Sequence, residues 1–176
     1  RLFFFEYDGL VNGKPMITVR NGQAGFFTKA ELEASEGVLF SAGDVELLHE
    51  DQVDPCLARP AADTLSLDDL AHISDGDVAR VMGPDFDLTR CHTRTPSIPG
   101  GDLNILGAVT ALDVLGGPGG RGYLRSERQI TPDDWFFDGH FHNDPCMPGT
   151  LMADGCVQAM ALLMIASGQT LDHDGW

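Results

Sequence analysis

The sequence predicts an α+β protein in which a curved antiparallel sheet rolls around one central helix. Three observations carry that reading. Residues 150–166 form a helix-length run whose apolar side chains, among them Leu151, Met152, Val157, Met160 and Leu162 to Ile165, cover every face. That is the pattern of a helix wrapped by protein or by lipid. Residues 103–115 and 121–130 read as two strands joined by Gly116-Gly-Pro-Gly-Gly120, because Gly and Pro punctuate elements. Residues 1–27 read as further antiparallel β-structure, rich in aromatic side chains and turned at Asn12-Gly13, a strong hairpin pair.

Two facts disfavour lipid around the long helix. Its ~17 residues reach about 25 Å at 1.5 Å each, marginal for a bilayer core. Asp154 lies near its start, where a carboxyl group would be costly in hydrocarbon. The formal charge of the 176-residue chain is 11 − 27 = −16, which repels the phosphates of nucleic acid and of anionic membranes. With 43% hydrophobic and 22% charged residues, the composition is that of a soluble globular protein. No two of Cys56, Cys91, Cys146 and Cys156 have CxxC spacing, so no zinc or redox motif is expected, and the thiols read as reduced groups of a cytoplasmic protein. The short apolar run at 2–5 leads straight into Glu6 and Asp8, which is not a secretory signal. The chain opens on Arg1 rather than Met, as expected of a piece of something longer or a processed product.

Taken in order, a third short run at 24–27 follows Asn21-Gly22, and Thr28-Lys-Ala-Glu31 fits a capping box opening a helix near 29–36. Residues 41–100 are rich in Asp, Pro and Gly and read as a partly helical connector without a core of its own. Within them, 45–48 fits a turn of helix or strand, 66–73 a capped helix with Leu67, Leu70 and Ile73 at three-residue spacing, and 77–82 another helix. The strand at 103–115 is interrupted by Gly107, and the returning strand carries Arg125, Glu127 and Arg128. Thr131-Pro-Asp-Asp134 reads as a helix start, with Thr at the N-cap, Pro at N1 and acids in the first turn. Trp135, Phe136 and Phe137 follow, then a loop with His140.

The chemistry-bearing residues lie between His140 and Gln158. His140, on a loop before a Pro-Gly helix start, reads either as a general base or as a structural imidazole. His142 alternates with it and reads as partly exposed and structural. Asp154 is unfavourable inside an apolar helix. It is held either by a hydrogen bond to a neighbouring loop or as an acid kept protonated by apolar surroundings. Gln158, one turn on, shares its face and can hold Asp154 or contact substrate. Gly149 places its N–H at the first turn, where amides lack intrahelical partners and the dipole is positive, so a carbonyl there would be polarised. Pro148 fixes the entry angle, and the alternative is an ordinary Pro-Gly helix start. Cys146 and Cys156 read as packing residues. Arg121, Arg125 and Arg128 read as a solvated strand face, with a basic patch for an acidic carrier protein as the other account.

The string Thr131-Pro-Asp-Asp-Trp-Phe-Phe-Asp-Gly-His140-Phe-His-Asn-Asp-Pro-Cys-Met-Pro-Gly149, with Asp154 five residues on, resembles the 3-hydroxydecanoyl-ACP dehydratase type of β-hydroxyacyl-ACP dehydratase. More narrowly it resembles the dehydratase domains of bacterial polyunsaturated fatty acid synthases. The likeness is dense from about 120 to 168 and looser over 1–40. It implies a hot-dog fold, a long helix wrapped by an antiparallel sheet, as part of a double hot-dog. Residues 1–40 would be closing strands of a preceding hot-dog, 41–100 the linker and 101–176 the catalytic hot-dog, whose later strands are expected from another chain or from a remainder. It further implies His140 as general base, Asp154 as acid and the Gly149 N–H on the thioester carbonyl, with Gln158 and Pro148 in support. An aspartate where related dehydratases often carry glutamate favours the hydroxydecanoyl type, some of which also isomerise a trans-2 to a cis-3 alkene.

The reaction implied is dehydration of a (3R)-hydroxyacyl thioester to the trans-2-enoyl product. The substrate would ride on the phosphopantetheine of acyl carrier protein, with no metal or redox cofactor. Such sites lie between two hot-dogs, so His140 and Asp154 can belong to different sites, each completed by a second hot-dog domain or subunit. Two other readings compete: a non-catalytic hot-dog that binds acyl chains or serves as scaffold in a megasynthase, and a hot-dog thioesterase.

Overall fold

The computed structural model describes residues 2–35, 55–117 and 120–174, in two compact units, Arg1–Leu48 and His49–Trp176. In the first, strands β1 (Leu2–Val11) and β2 (Lys14–Gly25) pair antiparallel. The expected Asn12-Gly13 turn is there, with φ of 51° and 76°, the left-handed pair of a two-residue hairpin loop. The third run expected after Asn21-Gly22 is not a separate strand: residues 24–25 belong to β2, and Asn21-Gly22 lies at a bulge inside it. Phe5 pairs with Gly22 but Tyr7 with Val19, and Asn21 takes φ 56°, so the extra residue is absorbed without breaking the strand. Helix α1 (Lys29–Ala34) opens on the expected capping box: Glu31 N donates to Thr28 Oγ1 at 3.3 Å and Thr28 N to the Glu31 carboxylate at 2.7 Å.

The second unit departs most from the sequence reading. Residues 45–48 lie outside the described residues, but from Cys56 onward the supposed connector supplies half the core. Helix α2 (Leu67–Ser74) begins at Ser66, whose capping box with Asp69 is complete. Helix α3 (Val78–Met82) and a 3₁₀ segment at Pro84–Cys91 follow. Leu65, Leu70, Ile73, Met82, Phe86 and Ile98 are buried in one cluster with Val109, Leu112, Leu162 and Ile165. The physical reason is division of labour. Asp and Pro occupy caps and turns, as Asp69 and Pro84 do, while most of the large apolar residues between them point inward. Leu57, Leu88 and Leu67, the first of the expected helix spacing, stay exposed.

Strands β3 (Ala108–Asp113) and β4 (Tyr123–Glu127) form an antiparallel pair, shorter than the runs 103–115 and 121–130 suggested. Gly107 ends the apolar run because it takes φ 73° against the Glu127 carbonyl, where a side chain would collide. Leu65 bridges to Val109 through two 2.9 Å hydrogen bonds, which ties the helical segment to the sheet.

Helix α4 (Gly149–Ala166) is apolar all round, and by length and composition it could cross a membrane. It buries Gln158, Leu162, Ile165 and Ala166, a single stripe at i, i+4, i+7 and i+8. Met152, Val157, Met160 and Met164 stay exposed. Two strands about 4.8 Å apart cannot wrap a cylinder 10–12 Å across, so the described sheet covers one side only.

The placement of 55–98 is checked by Phe86→Ala, which should lower unfolding free energy by about 3–5 kcal/mol in urea titration. A change within about 0.5 kcal/mol, as at a surface site, would restore the connector reading.

Candidate active site

The segment that carries His140 is fastened before it reaches the histidine. Residues 131–134 do not begin an α-helix as expected. A 3₁₀ turn, Trp135–Asp138, takes its place with Asp134 at the N-cap. The Asp134 carboxylate is committed elsewhere, to Thr131 N at 2.7 Å and to Arg128 Nη2 at 2.6 Å. The Thr131 amide first, and then the Arg128 guanidinium, hold its carboxyl below the usual carboxylate range. Phe136 is buried beneath the turn, and its carbonyl accepts from His140 N at 3.0 Å.

His140 itself is half-buried. Its Nδ1 lies 3.0 Å from the Cys146 carbonyl oxygen, and Cys146 N donates back to His140 O at 2.9 Å. A carbonyl can only accept, so in the neutral imidazole this contact favours the proton on Nδ1 and the lone pair on Nε2. Among the described residues Nε2 has no hydrogen-bond partner, which leaves it available as a base. Cys146, expected to pack, is exposed, with Sγ 3.5 Å from Nδ1. Its contribution is the carbonyl, which no side-chain reading could have found. Cys156 is exposed too, since the face of α4 that carries it is uncovered. His142 is exposed, as expected.

Pro148 is the N-cap of α4 and Gly149 its first residue, with no side chain capping the end. The first amides therefore face outward beside the positive end of the dipole. Asp154, by contrast, is exposed rather than buried among apolar groups. Its Oδ2 accepts from Gln158 Nε2 at 2.6 Å. Gln158 is only 3% exposed, and the same Nε2 donates to Leu103 O at 2.8 Å while Oε1 accepts from Ile105 N at 3.0 Å. Gln158 thus holds Asp154, one of its two expected roles, and ties it to the chain segment before β3. His140 and Asp154 make no hydrogen bond to each other among the described residues. Cavities of about 720 Å³ (around Arg90 and His92), 490 Å³ (around Met160) and 530 Å³ (around Phe137) include neither of them.

Residues 98–175 match the FabA-like domain family. This segment is a FabA-like domain. Its fold is the hot-dog, with β3, β4 and the long helix α4 its visible parts among the described residues. The chain is also 34% identical, over 180 aligned residues, to a polyunsaturated fatty acid synthase polypeptide of Thraustochytrium sp.; the alignment takes in 95% of this chain and 11% of that much longer relative. Within the FabA-like domain two of the three arginines, Arg125 and Arg128, are matched by carboxylates. Arg125 pairs with Glu127 at 2.7 Å and Arg128 with Asp134. Sequence showed the charges, but opposite signs two residues apart on one strand face pair with each other.

A pH prediction follows from Asp134. Its folded pKa lies below the unfolded value, so its contribution is fully present above the unfolded value and lost as pH falls through the folded one. Urea midpoints of the wild type should fall below about pH 4, and Asp134→Asn should flatten that fall. An equal slope in both proteins would contradict the assignment.

Proposed function

We propose that this chain takes part in fatty acid synthesis by dehydrating (3R)-hydroxyacyl thioesters, carried on the phosphopantetheine of acyl carrier protein, to trans-2-enoyl thioesters. The observation that carries the reading is the setting of His140 in a FabA-like domain: Nδ1 lies 3.0 Å from the Cys146 carbonyl oxygen, which in the neutral ring leaves Nε2 to act as the base. The name of the relative, a polyunsaturated fatty acid synthase, supports the substrate class and the carrier.

The steps follow from the parts. His140 Nε2 takes the proton from C2. The thioester carbonyl gains enolate character and is met by the Gly149 N–H at the uncapped, positive end of α4. The C3–O bond breaks as a carboxyl group protonates the departing hydroxyl, the C2–C3 double bond forms, and water leaves. Asp154, or its counterpart on a facing helix, is the acid, with Gln158 setting its position. None of these steps calls on a metal or redox group.

A second hot-dog completes the site in this reading. Asp154 is exposed, and Met152, Val157 and Met160 beside it are exposed by 54–65%. A covering surface would take the carboxyl out of water, the setting in which a carboxylic acid serves as a proton donor. Residues 2–25, an aromatic hairpin with most side chains exposed, are proposed as strands of a preceding hot-dog. A non-catalytic, acyl-binding role competes because α4 is uncovered, and activity separates the two.

His140→Ala should lower kcat/KM for a 3-hydroxyacyl thioester by roughly 10²- to 10⁴-fold, and Asp154→Asn by a similar factor. Enoyl product is read by chromatography that resolves trans-2 from cis-3 alkenes. Full turnover by His140→Ala would overturn the assignment, and free acid as product would select the thioesterase.

A further inference from the structure

The stretch from Asp102 to Ile105 is four residues long, and every one of its backbone groups that meets a side chain meets one belonging to the site's supports. Trp135 Nε1 donates to Asp102 O at 3.1 Å. Gln158 Nε2 donates to Leu103 O at 2.8 Å, and Ile105 N donates back to Gln158 Oε1 at 3.0 Å. Arg128 Nη1 donates to Asn104 O at 3.0 Å. One side of this arrangement leads to Asp154 through Gln158. The other leads to His140 through the 3₁₀ turn at Trp135–Asp138, because Arg128 grips Asp134, Trp135 is the next residue, and Phe136 O receives the His140 amide.

We propose that Arg128 is a positioning residue for His140: its planar fork joins Asp134, at the head of the His140 segment, to Asn104, in the backbone that also holds Gln158. The proposal rests on His140 being the base. Three features favour positioning over general stabilisation. The pair is largely shielded, with Asp134 at 10% and Arg128 at 26% side-chain exposure, so the contact is better fixed than an exposed ion pair. Two different guanidinium nitrogens are used on two different chain segments, a geometry that a single ammonium cannot reproduce. Arg128 Nε is meanwhile buried without a partner among the described residues, a desolvation cost. The side chain is thus placed for its two outer contacts at the expense of the third nitrogen.

Arg128 does not touch His140, so its loss should act through the imidazole's setting. If the 3₁₀ turn slackens, the His140 backbone shifts relative to Cys146, and the Nδ1–H to carbonyl bond that fixes the tautomer weakens. Nε2 would then be protonated in part of the molecules, and a protonated nitrogen cannot act as a base.

The experiment reads both the imidazole and the activity in the full chain. Nitrogen-15 shifts of the His140 ring, with selective histidine labelling, report tautomer and titration without substrate. In the wild type they should show Nδ1–H as the dominant neutral tautomer. Arg128→Lys and Arg128→Gln should give a mixed tautomer and a displaced titration curve, with kcat for a 3-hydroxyacyl thioester lower by about 10- to 100-fold at little-changed KM. Trp135→Phe removes the other tie without disturbing an ion pair and should move the same signals in a smaller measure. Far-UV circular dichroism and thermal melts identify folded variants, and Trp135→Phe carries the test if neither arginine variant folds. If the folded variants leave the His140 signals and kcat where the wild type has them, or if kcat falls with no change at the imidazole, Arg128 positions nothing. If the wild type turns over no thioester while the imidazole signals still move, the dehydratase reading fails and the positioning role stands.

Discussion

A buried glutamine amide organises this molecule's candidate site. Gln158 sits on the one buried stripe of an otherwise apolar helix and is 3% exposed. Such a group is costly unless every polar atom finds a partner. It finds three, and two of them are backbone groups of the segment before β3. Gly155, on the same helix, faces Ile105, where a Cβ would lie in ordinary van der Waals contact at 3.4 Å. The path of residues 102–105 is therefore dictated by α4, and whatever else binds those residues is placed relative to α4 as well.

What binds them is the support of the histidine loop. The Arg128–Asp134 pair and the Trp135 indole reach the same four residues, and the 3₁₀ turn passes the restraint to His140. The imidazole then receives its tautomer from a local carbonyl, not from a carboxylate. In the proposed reaction that contact favours Nδ1–H in the neutral ring and leaves Nε2 to take the proton from carbon. Asp154 is oriented by Gln158 but is open to water, as are Met152, Val157 and Met160 near it on the helix. In the proposed reading the base and the carbonyl site lie within one chain segment, and the proton-donating carboxyl is completed by a neighbour.

Local signals in the sequence proved readable where the controlling physics is local. The Asn12-Gly13 turn, the boxes at Thr28 and Ser66, and the start of α4 at Pro148-Gly149 each depend on a few adjacent residues, and each is present. The hot-dog and its family were legible from the string 131–149 with Asp154. Long-range features were not. Phe86 and Ile98 lie in a stretch whose composition resembles a connector, and only the tertiary structure shows that its apolar residues meet those of β3 and α4. Asp134 looked like a first-turn acid, but its partners, Arg128 and the Thr131 amide, pull it into a different turn. The carbonyl of Cys146 carries no sequence signal, since every residue type has one. Nor does the sequence show that a helix apolar on all faces would have only one face covered by the described residues.

The central claim is that His140 Nε2 removes the C2 proton of a 3-hydroxyacyl thioester. The most direct measurement follows deuterium at C2 when the substrate is incubated with the protein in heavy water. Reversible removal and return of that proton predicts deuterium at C2 of recovered substrate with the wild type and none above background with His140→Ala. Recovered substrate free of deuterium in the presence of wild-type protein, or equal labelling by both proteins, would contradict the account.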